Sequence, residues 1–219
     1  MQKTKHNGRR RAIIAGGALL GVAALTTAAF YTDNAFLNLG GAGAGNGGFS
    51  TEGSFNILVV DTNADFTPKA ETFAAANTND YWQEANDPDG VSIAIVGSDR
   101  LIPGDPIKSV NIPFKNDSER SGAKLDVTLV DRATGGADTT LRDKLRFTVS
   151  LNGAVLPGLS NVSYSAVSSA IMGSTVPAGQ GGVLTIGVTV PDQGTEAANN
   201  ALAGKTAAIQ AKIHAQSID

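Results

Sequence analysis

The 219-residue chain contains no cysteine and two histidines, which limits the chemistry that it can perform. Without cysteine the fold is held by burial and backbone hydrogen bonds instead of disulfides. A zinc site usually needs several histidine or cysteine ligands. His6 lies in a segment expected to be removed, so His214 alone remains, and it is predicted to be a solvated residue on the polar face of a strand.

The sequence also lacks the short motifs that mark common catalytic sites. It has no His-Glu-x-x-His and no Gly-x-Ser-x-Gly. A serine triad would have to use His214. The Gly-rich stretch at residues 38–53 does not end in Gly-Lys-Ser/Thr, so it is not a phosphate-binding loop. These absences predict a protein that is not an enzyme and has no cofactor.

The first 28 residues have the three-part pattern of a secretory signal peptide. Cations precede an apolar run at residues 12–25, and small residues at Thr26 and Ala28 suit a signal peptidase. We expect cleavage after Ala28, a mature chain that begins at Ala29, and secretion. A membrane anchor is the alternative, but a span needs about 20 apolar residues. A twin-arginine leader is a second alternative, which the residues after Arg11 match poorly. The cations are Lys3, Lys5, Arg9, Arg10 and Arg11.

The expected mature chain is acidic. The leader holds five of the 17 Lys and Arg residues and none of the 20 Asp and Glu residues, which leaves 12 cations against 20 carboxylates and a net charge of −8. An acidic surface repels nucleic acid, so no nucleic-acid partner is expected. No second apolar run is long enough to span a bilayer, so no stable membrane anchor is expected after processing.

Alternation of apolar and polar residues dominates residues 54–219. This period of two places one face of a strand in a core and the other in water. At least seven such runs, separated by Gly, Pro, Asn and Asp, predict an all-β antiparallel sandwich. The apolar positions are Phe55, Ile57 and Val59; Val91, Ile93 and Ile95; Val110, Ile112 and Phe114; Leu125, Val127 and Leu129; Phe147, Val149 and Leu151; Leu184, Ile186, Val188 and Val190; and Ile209, Ala211, Ile213 and Ala215.

A few short helices are predicted between the strands, at residues 140–145, 163–172 and 196–202. Tyr81 and Trp82 are expected to be core or rim aromatics and not a carbohydrate platform. Asn86, Asp87 and Asp89 cluster oxygen donors in one turn, where calcium could bind. Their spacing does not complete an EF-hand loop, and Asp-Pro and Asp-Gly are ordinary turn formers, so calcium is a weak candidate.

Several segments resemble the TasA/camelysin family of secreted proteins from Gram-positive biofilm matrix. Residues 27–33 are similar to the Ala-Phe-x-Asp junction that follows a leader cut by a SipW-type signal peptidase. Residues 101–105 resemble the family's Leu-x-Pro-Gly-Asp turn. The strands at 110–116 and 125–130, the helix and Gly turn at 200–204 and the last strand at 209–216 also match in outline. The Gly-rich insert and the lack of an aromatic just before the cut depart from the pattern.

The resemblance implies a jelly-roll-like β-sandwich, processing by a SipW-type signal peptidase and self-assembly into extracellular fibres. Camelysin-type members have been described as metallopeptidases, but the ligand count argues against that activity here. We therefore predict a structural fibre subunit of a biofilm matrix or cell surface. A camelysin-like metalloendopeptidase and a monomeric surface-binding module are the alternatives.

Residues 29–53 would precede the sandwich as an N-terminal segment and Gly-rich linker. Phe30, Tyr31, Phe36, Leu37 and Leu39 are apolar residues in an otherwise exposed terminus. A free strand of this kind has to pair with something. It can pair in its own sandwich as an edge strand, or it can be donated to the open sheet edge of the next subunit. The Gly-rich tract is either a plain linker or the hinge that permits donation.

Overall fold

The computed structural model describes residues 32–39, 55–86, 90–131, 139–167 and 174–218, with the backbone alone at 32–39. The expected signal peptide lies outside these residues. So do its cleavage site at Ala28 and Ala29 and the apolar residues Phe30 and Tyr31.

Twelve strands and four α-helices make up the described chain. In order they are β1 (Thr32–Leu39), β2 (Ile57–Val60), α1 (Phe73–Asn79), β3 (Trp82–Glu84), β4 (Val91–Ile93), a 3₁₀ turn (Ser98–Arg100), β5 (Lys108–Asn116), β6 (Gly122–Asp131), α2 (Thr139–Arg142), β7 (Arg146–Leu151), β8 (Ala154–Val155), β9 (Val162–Ser163), α3 (Tyr164–Val167), β10 (Ser174–Val176), β11 (Gly181–Thr189), α4 (Glu196–Asn200) and β12 (Ile209–Ile218).

The strands form two sheets. The five-stranded sheet has the order β10-β6-β12-β1-β4. The seven-stranded sheet has the order β3-β2-β5-β11-β7-β8, with β9 also paired to β7. Among the described strands every pairing is antiparallel except that of β1 with β4. The chain passes repeatedly from one sheet to the other, so the predicted all-β, jelly-roll-like sandwich is confirmed.

The core lies between the sheets and is built by the alternating positions of the long strands. On β5, Val110, Ile112 and Phe114 are buried, and on β12 Ile209, Ala211, Ile213 and Ala215 are buried. The same alternation holds on β6, β7 and β11. Each buried aliphatic side chain contributes about 1.5–3 kcal/mol to folding, which is how a chain without cysteine stabilises this sandwich.

The sandwich has two distinct ends. The Asn116 end holds the end of β5 and the start of β6, where the Asn116 side chain donates to Ser121 O at 2.9 Å and to Val176 O at 3.1 Å. The Ile209 end holds Leu145, Phe147, Val188 and Ile209, which line one cavity between the sheets.

The helices differ from the predictions at their boundaries. Helix α1 was not predicted; Thr72 caps it by accepting a hydrogen bond from Ala75 N, and Asp80 ends it in the left-handed conformation. Helix α2 is one residue earlier and shorter than predicted. Helix α3 is a single turn within the predicted 163–172, of which 168–172 lie outside the described residues. Helix α4 agrees with the prediction and is capped by Thr195.

The Pro103-Gly104 turn is formed as expected. Gly104 has φ = +89°, a conformation that favours glycine, and its N–H donates to Val190 O at 2.8 Å. Over the described ranges no helix has the length and apolar character needed to cross a bilayer.

Candidate functional site

The first strand occupies an interior position of the five-stranded sheet. It pairs antiparallel with β12 over eight residues, from Thr32 opposite Gln216 to Leu39 opposite Ile209. It also pairs in parallel with β4 over three residues, from Leu37 opposite Val91 to Leu39 opposite Ile93. Of the two alternatives for this segment, the structure shows it paired within its own sandwich, but as an interior strand and not at the edge, because β4 covers part of its outer side.

The register separates the apolar residues of β1 into two sets. Leu37 and Leu39 lie opposite Ala211 and Ile209, which are buried core positions of β12. Phe36 lies opposite Lys212, on the alternate set of positions. Residues directly opposite each other in an antiparallel pair belong to the same face of the sheet. The register therefore assigns Leu37 and Leu39 to the core set and Phe36 to the other set.

Small and branched residues of β12 lie next to β1 in the sheet. Ala211 and Ala215 are fully buried, and Ile213 between them is 1% exposed. They pair with Leu129, Leu125 and Val127 of β6, which are buried in turn. If β1 were withdrawn, β12 would present unpaired backbone groups and buried apolar side chains along one sheet edge. Such an edge readily accepts another strand.

The path of the chain on either side of residues 40–54 adds a second constraint. Leu39 lies at the Ile209 end, whereas β2 begins with Ile57 opposite Asn116 at the other end. The two ends of this connection therefore lie at opposite ends of the sandwich. Fifteen residues reach about 50 Å when extended, and a strand of nine residues such as β5 is about 30 Å long. The connection is long enough to close on its own domain and long enough to reach a neighbouring one.

The cavity at the Ile209 end has a volume of about 470 Å³. Its walls include Phe66, Ile95, Phe147 and Val188, and Asp65 lies on its lining. The Thr67 hydroxyl donates to Asp65 at 2.7 Å and the Thr67 N–H donates at 3.1 Å. These hydrogen bonds, the hydroxyl first, lower the pKa of Asp65 below its usual value. The cavity thus combines an apolar interior with a carboxylate that stays ionised to low pH.

The calcium candidate is described only in part. Asp87 and Asp89 lie outside the described residues. Asn86 donates its side-chain amide to Glu84 at 3.0 Å, and Asn56 donates to the same carboxylate at 2.7 Å. The first of these bonds uses the Asn86 side-chain nitrogen, whereas its Oδ1, the atom that would bind calcium, is buried without a hydrogen-bond partner among the described residues, and calcium at this turn stays a prediction. In the described part of the chain no group of three or more His, Asp or Glu residues is placed to hold a metal ion.

The other residues singled out in the sequence, His214, Tyr81 and Trp82, lie in or next to strands. His214 lies on β12 between buried Ile213 and Ala215, and it is opposite Asp126 on one side and Asn34 on the other. Tyr81 and Trp82 are half-buried and pack against the core, as expected. The Trp82 ring lies 5.7 Å from that of Phe73 in α1.

Sequence reasoning missed the neighbour of β1 across the sheet. Residues 91–93 were identified as apolar and alternating, but their parallel pairing with Leu37–Leu39 is a non-local contact that no sequence pattern encodes. The cavity was missed for the same reason, since its walls come from five separate segments.

These features define a two-sheet β-sandwich in which the N-terminal strand completes the interior of one sheet. No known protein family, curated protein or solved structure matches the chain.

Proposed function

We propose that the protein is a secreted, non-enzymatic fibre subunit that polymerises by exchanging β1 between neighbouring copies. The observation that carries the proposal is the place of β1. It lies inside a sheet, yet it is joined to the rest of the sandwich through the Gly-rich residues 40–54. A strand held in this way can fill its own groove, between β12 and β4, or the same groove in another copy.

The free energy of strand pairing hardly differs between the closed form, with β1 in its own groove, and the exchanged form, with β1 in another copy. A donated β1 makes the same backbone pairs with β12 and β4 as a strand that stays in its own subunit, so these contributions cancel. What differs is the linker and any new contact between subunits. A strand tethered through a short linker meets its own groove at an effective concentration of about a millimolar. Assembly is therefore expected where the local protein concentration is high or where an existing fibre end presents an open groove.

The symmetry of exchange produces a filament. Each copy uses one surface to donate and a different surface to accept, which is a heterologous contact. Such a contact either closes into a ring or continues as a helical fibre. The predicted leader places this strand three residues after the new terminus at Ala29, so cleavage would free the donor. Release of the donor strand by leader cleavage and its donation to the next copy both agree with the resemblance to TasA-type proteins.

A C-terminal graft of the donor strand tests the proposal. The variant would lack residues 29–39 at its start and would carry them after Asp219, joined by a short Gly turn. Because Thr32 lies opposite Gln216, near the end of β12, the grafted strand can form a hairpin with β12 and fill the groove. We expect a folded monomer that forms no filaments by electron microscopy, whereas the mature chain 29–219 forms them.

A second variant uses the same deletion without the graft. It should stay soluble and bind a synthetic peptide of residues 29–39, and a peptide with Leu37→Asp and Leu39→Asp should not bind. Filaments from the grafted variant, or equal binding of both peptides, would show that β1 is not the donor. Chelator-sensitive proteolysis by the pure mature chain, lost in His214→Ala, would favour the peptidase alternative.

A further inference from the structure

We infer that the Ile209 end of each subunit docks onto the Asn116 end of the copy whose β1 it has accepted. This inference rests on the proposed strand exchange and adds a second contact to it. The exchanged strand supplies backbone pairing, and the docked ends would fix how consecutive subunits are oriented along the fibre.

Exposed apolar side chains concentrate at the Ile209 end. In the described part of the chain four large apolar residues are strongly exposed, and three of them lie at this end: Val96 (71%), Ile102 (59%) and Ile107 (46%). Val96 lines the same cavity as Ile209. Ile102 lines an adjoining cavity of about 760 Å³, which shares Ser98 and Asp99 with the first. Ile107 precedes Lys108, which pairs with the cavity residue Val188.

Large apolar side chains exposed together at one end of a protein are typical of a contact site, although the second cavity is lined mainly by polar residues. Phe66, Ile95 and Phe147 form part of the wall behind Val96. Covering this surface would remove apolar area from water without disturbing either sheet.

The route of the chain identifies the occupant. In an exchanged pair the donor's Leu39 lies beside the acceptor's Ile209, as its own Leu39 does in the closed form. The donor chain then leaves the acceptor at this end. Its own sandwich resumes at Phe55, two residues before Ile57 pairs with Asn116. The nearest part of the donor body along the chain is therefore its Asn116 end, and the 15 connecting residues can span at most about 50 Å.

The Asn116 end carries charged side chains of both signs, among them one exposed arginine. Its β5–β6 turn exposes Glu119 and Arg120, and the turn is held by Asn116, which accepts from Ser118 N at 3.1 Å. Arg120 makes no ion pair within the described ranges. The opposing cavity lining carries Asp65 and Asp99. In the docked pair Arg120 would approach the carboxylates of Asp65 and Asp99, the second of which lies 3.5 Å from Arg100.

Cross-linking tests this contact. Because the chain has no native cysteine, any disulfide must form between the introduced cysteines. In mature chain 29–219 carrying Val96→Cys and Glu119→Cys, oxidised filaments should give a ladder of covalent oligomers on a non-reducing gel. The matched control, Val96→Cys with Thr128→Cys, places the second cysteine in the middle of β6 and should give no ladder. Dimers from Val96→Cys alone would show that two Ile209 ends meet each other, which would overturn the inference.

A charge substitution gives an independent readout. Val96→Asp should raise the protein concentration needed for filament formation about tenfold, which corresponds to about 1.4 kcal/mol, with no change in the folding of the monomer. Val155→Asp is the matched control, since Val155 is also exposed (49%) but lies on β8 at the edge of the other sheet. Filaments that form normally in Val96→Asp and give no Val96–Glu119 ladder would refute the docking contact and leave strand exchange standing. Failure of the unmodified mature chain to form filaments would refute both.

Discussion

The Asn116 side-chain amide donates to the Val176 carbonyl oxygen at 3.1 Å and so joins β5 of one sheet to β10 of the other. Asn116 is fully buried, and it also donates to Ser121 O and accepts from Ser118 N. One side chain thereby satisfies three backbone groups where the chain crosses between the sheets.

Replacing this side chain should destabilise the whole sandwich. Asn116→Ala leaves buried backbone groups without partners, each of which costs about 1–3 kcal/mol, so we expect a loss of about 3 kcal/mol in the free energy of unfolding. Asn79→Ala, at the exposed end of α1, should change it by no more than about 0.5 kcal/mol. Urea denaturation of both variants checks the prediction, and equal effects would contradict the role of Asn116.

Gly181 is a second position where the fold admits little change. A Cβ atom there would lie 2.0 Å from Phe114 O and 2.5 Å from the Phe73 ring. Because backbone cannot move aside cheaply, Gly181→Ala should cost about 3 kcal/mol. Gly122→Ala is the control, since its Cβ would meet the movable Ile218 side chain at 3.0 Å, and it should cost about 1 kcal/mol or less. Thermal melts that rank the two variants in the opposite order would refute this reasoning.

The register of β1 predicts that residues on its two sets of positions contribute differently to the free energy of unfolding. Leu37→Ala removes apolar volume opposite buried Ala211 and should lower the free energy of unfolding by about 3 kcal/mol. Asn34→Ala, opposite the half-buried His214 on the alternate set of positions, should cost less than about 1 kcal/mol. A register shifted by one residue would reverse the order of the two variants in denaturant titrations.

Acid should weaken the segment that precedes α4. The Asn199 side-chain amide and the Gly194 N–H each donate to Asp192 at 2.9 Å, and these bonds, the Asn199 bond first, lower the pKa of Asp192 below its ordinary value of 3.8. Their stabilising effect is therefore full above pH 3.8 and is lost as the pH falls through the lower pKa of the folded state.

Asp192→Asn should then be less stable than the parent at neutral pH, and the difference should shrink below pH 3.8. Denaturation midpoints of the two proteins measured across this range check the prediction. A difference that stays constant with pH would mean that the charge of Asp192 does not contribute.

The long strands could be predicted from sequence because their burial is a local, alternating property. Val110, Ile112 and Phe114 and the matching sets on β6, β7, β11 and β12 all fall on the core face. Helix α1 was missed although Thr72 is a good cap, because Phe73–Asn79 buries one residue, Ala76, and so shows no apolar period.

The position of β1 could not be predicted in the same way. Its apolar residues indicated a strand in need of a partner, but strand neighbours are chosen by contacts far apart in sequence. Leu39 meets Ile209 and Ile93 only once the whole sheet is formed. The cavity at the Ile209 end is likewise a property of several segments together.

The most direct measurement of strand exchange is a disulfide between β1 and β12. Asn34 lies opposite His214 in register, so Asn34→Cys with His214→Cys places two cysteines within disulfide reach. The bond joins two chains if β1 is donated and stays within one chain if it is not. Thr128→Cys with Lys212→Cys is the control, because β6 and β12 belong to the same subunit in either case.

We predict that oxidised filaments of the Asn34→Cys/His214→Cys protein run as a ladder of covalent oligomers on a non-reducing gel, while the control pair runs as a monomer. The unassembled protein should run as a monomer with either pair. Filaments whose Asn34→Cys/His214→Cys subunits all run as monomers would show that β1 remains in its own sheet, and would contradict assembly by strand exchange.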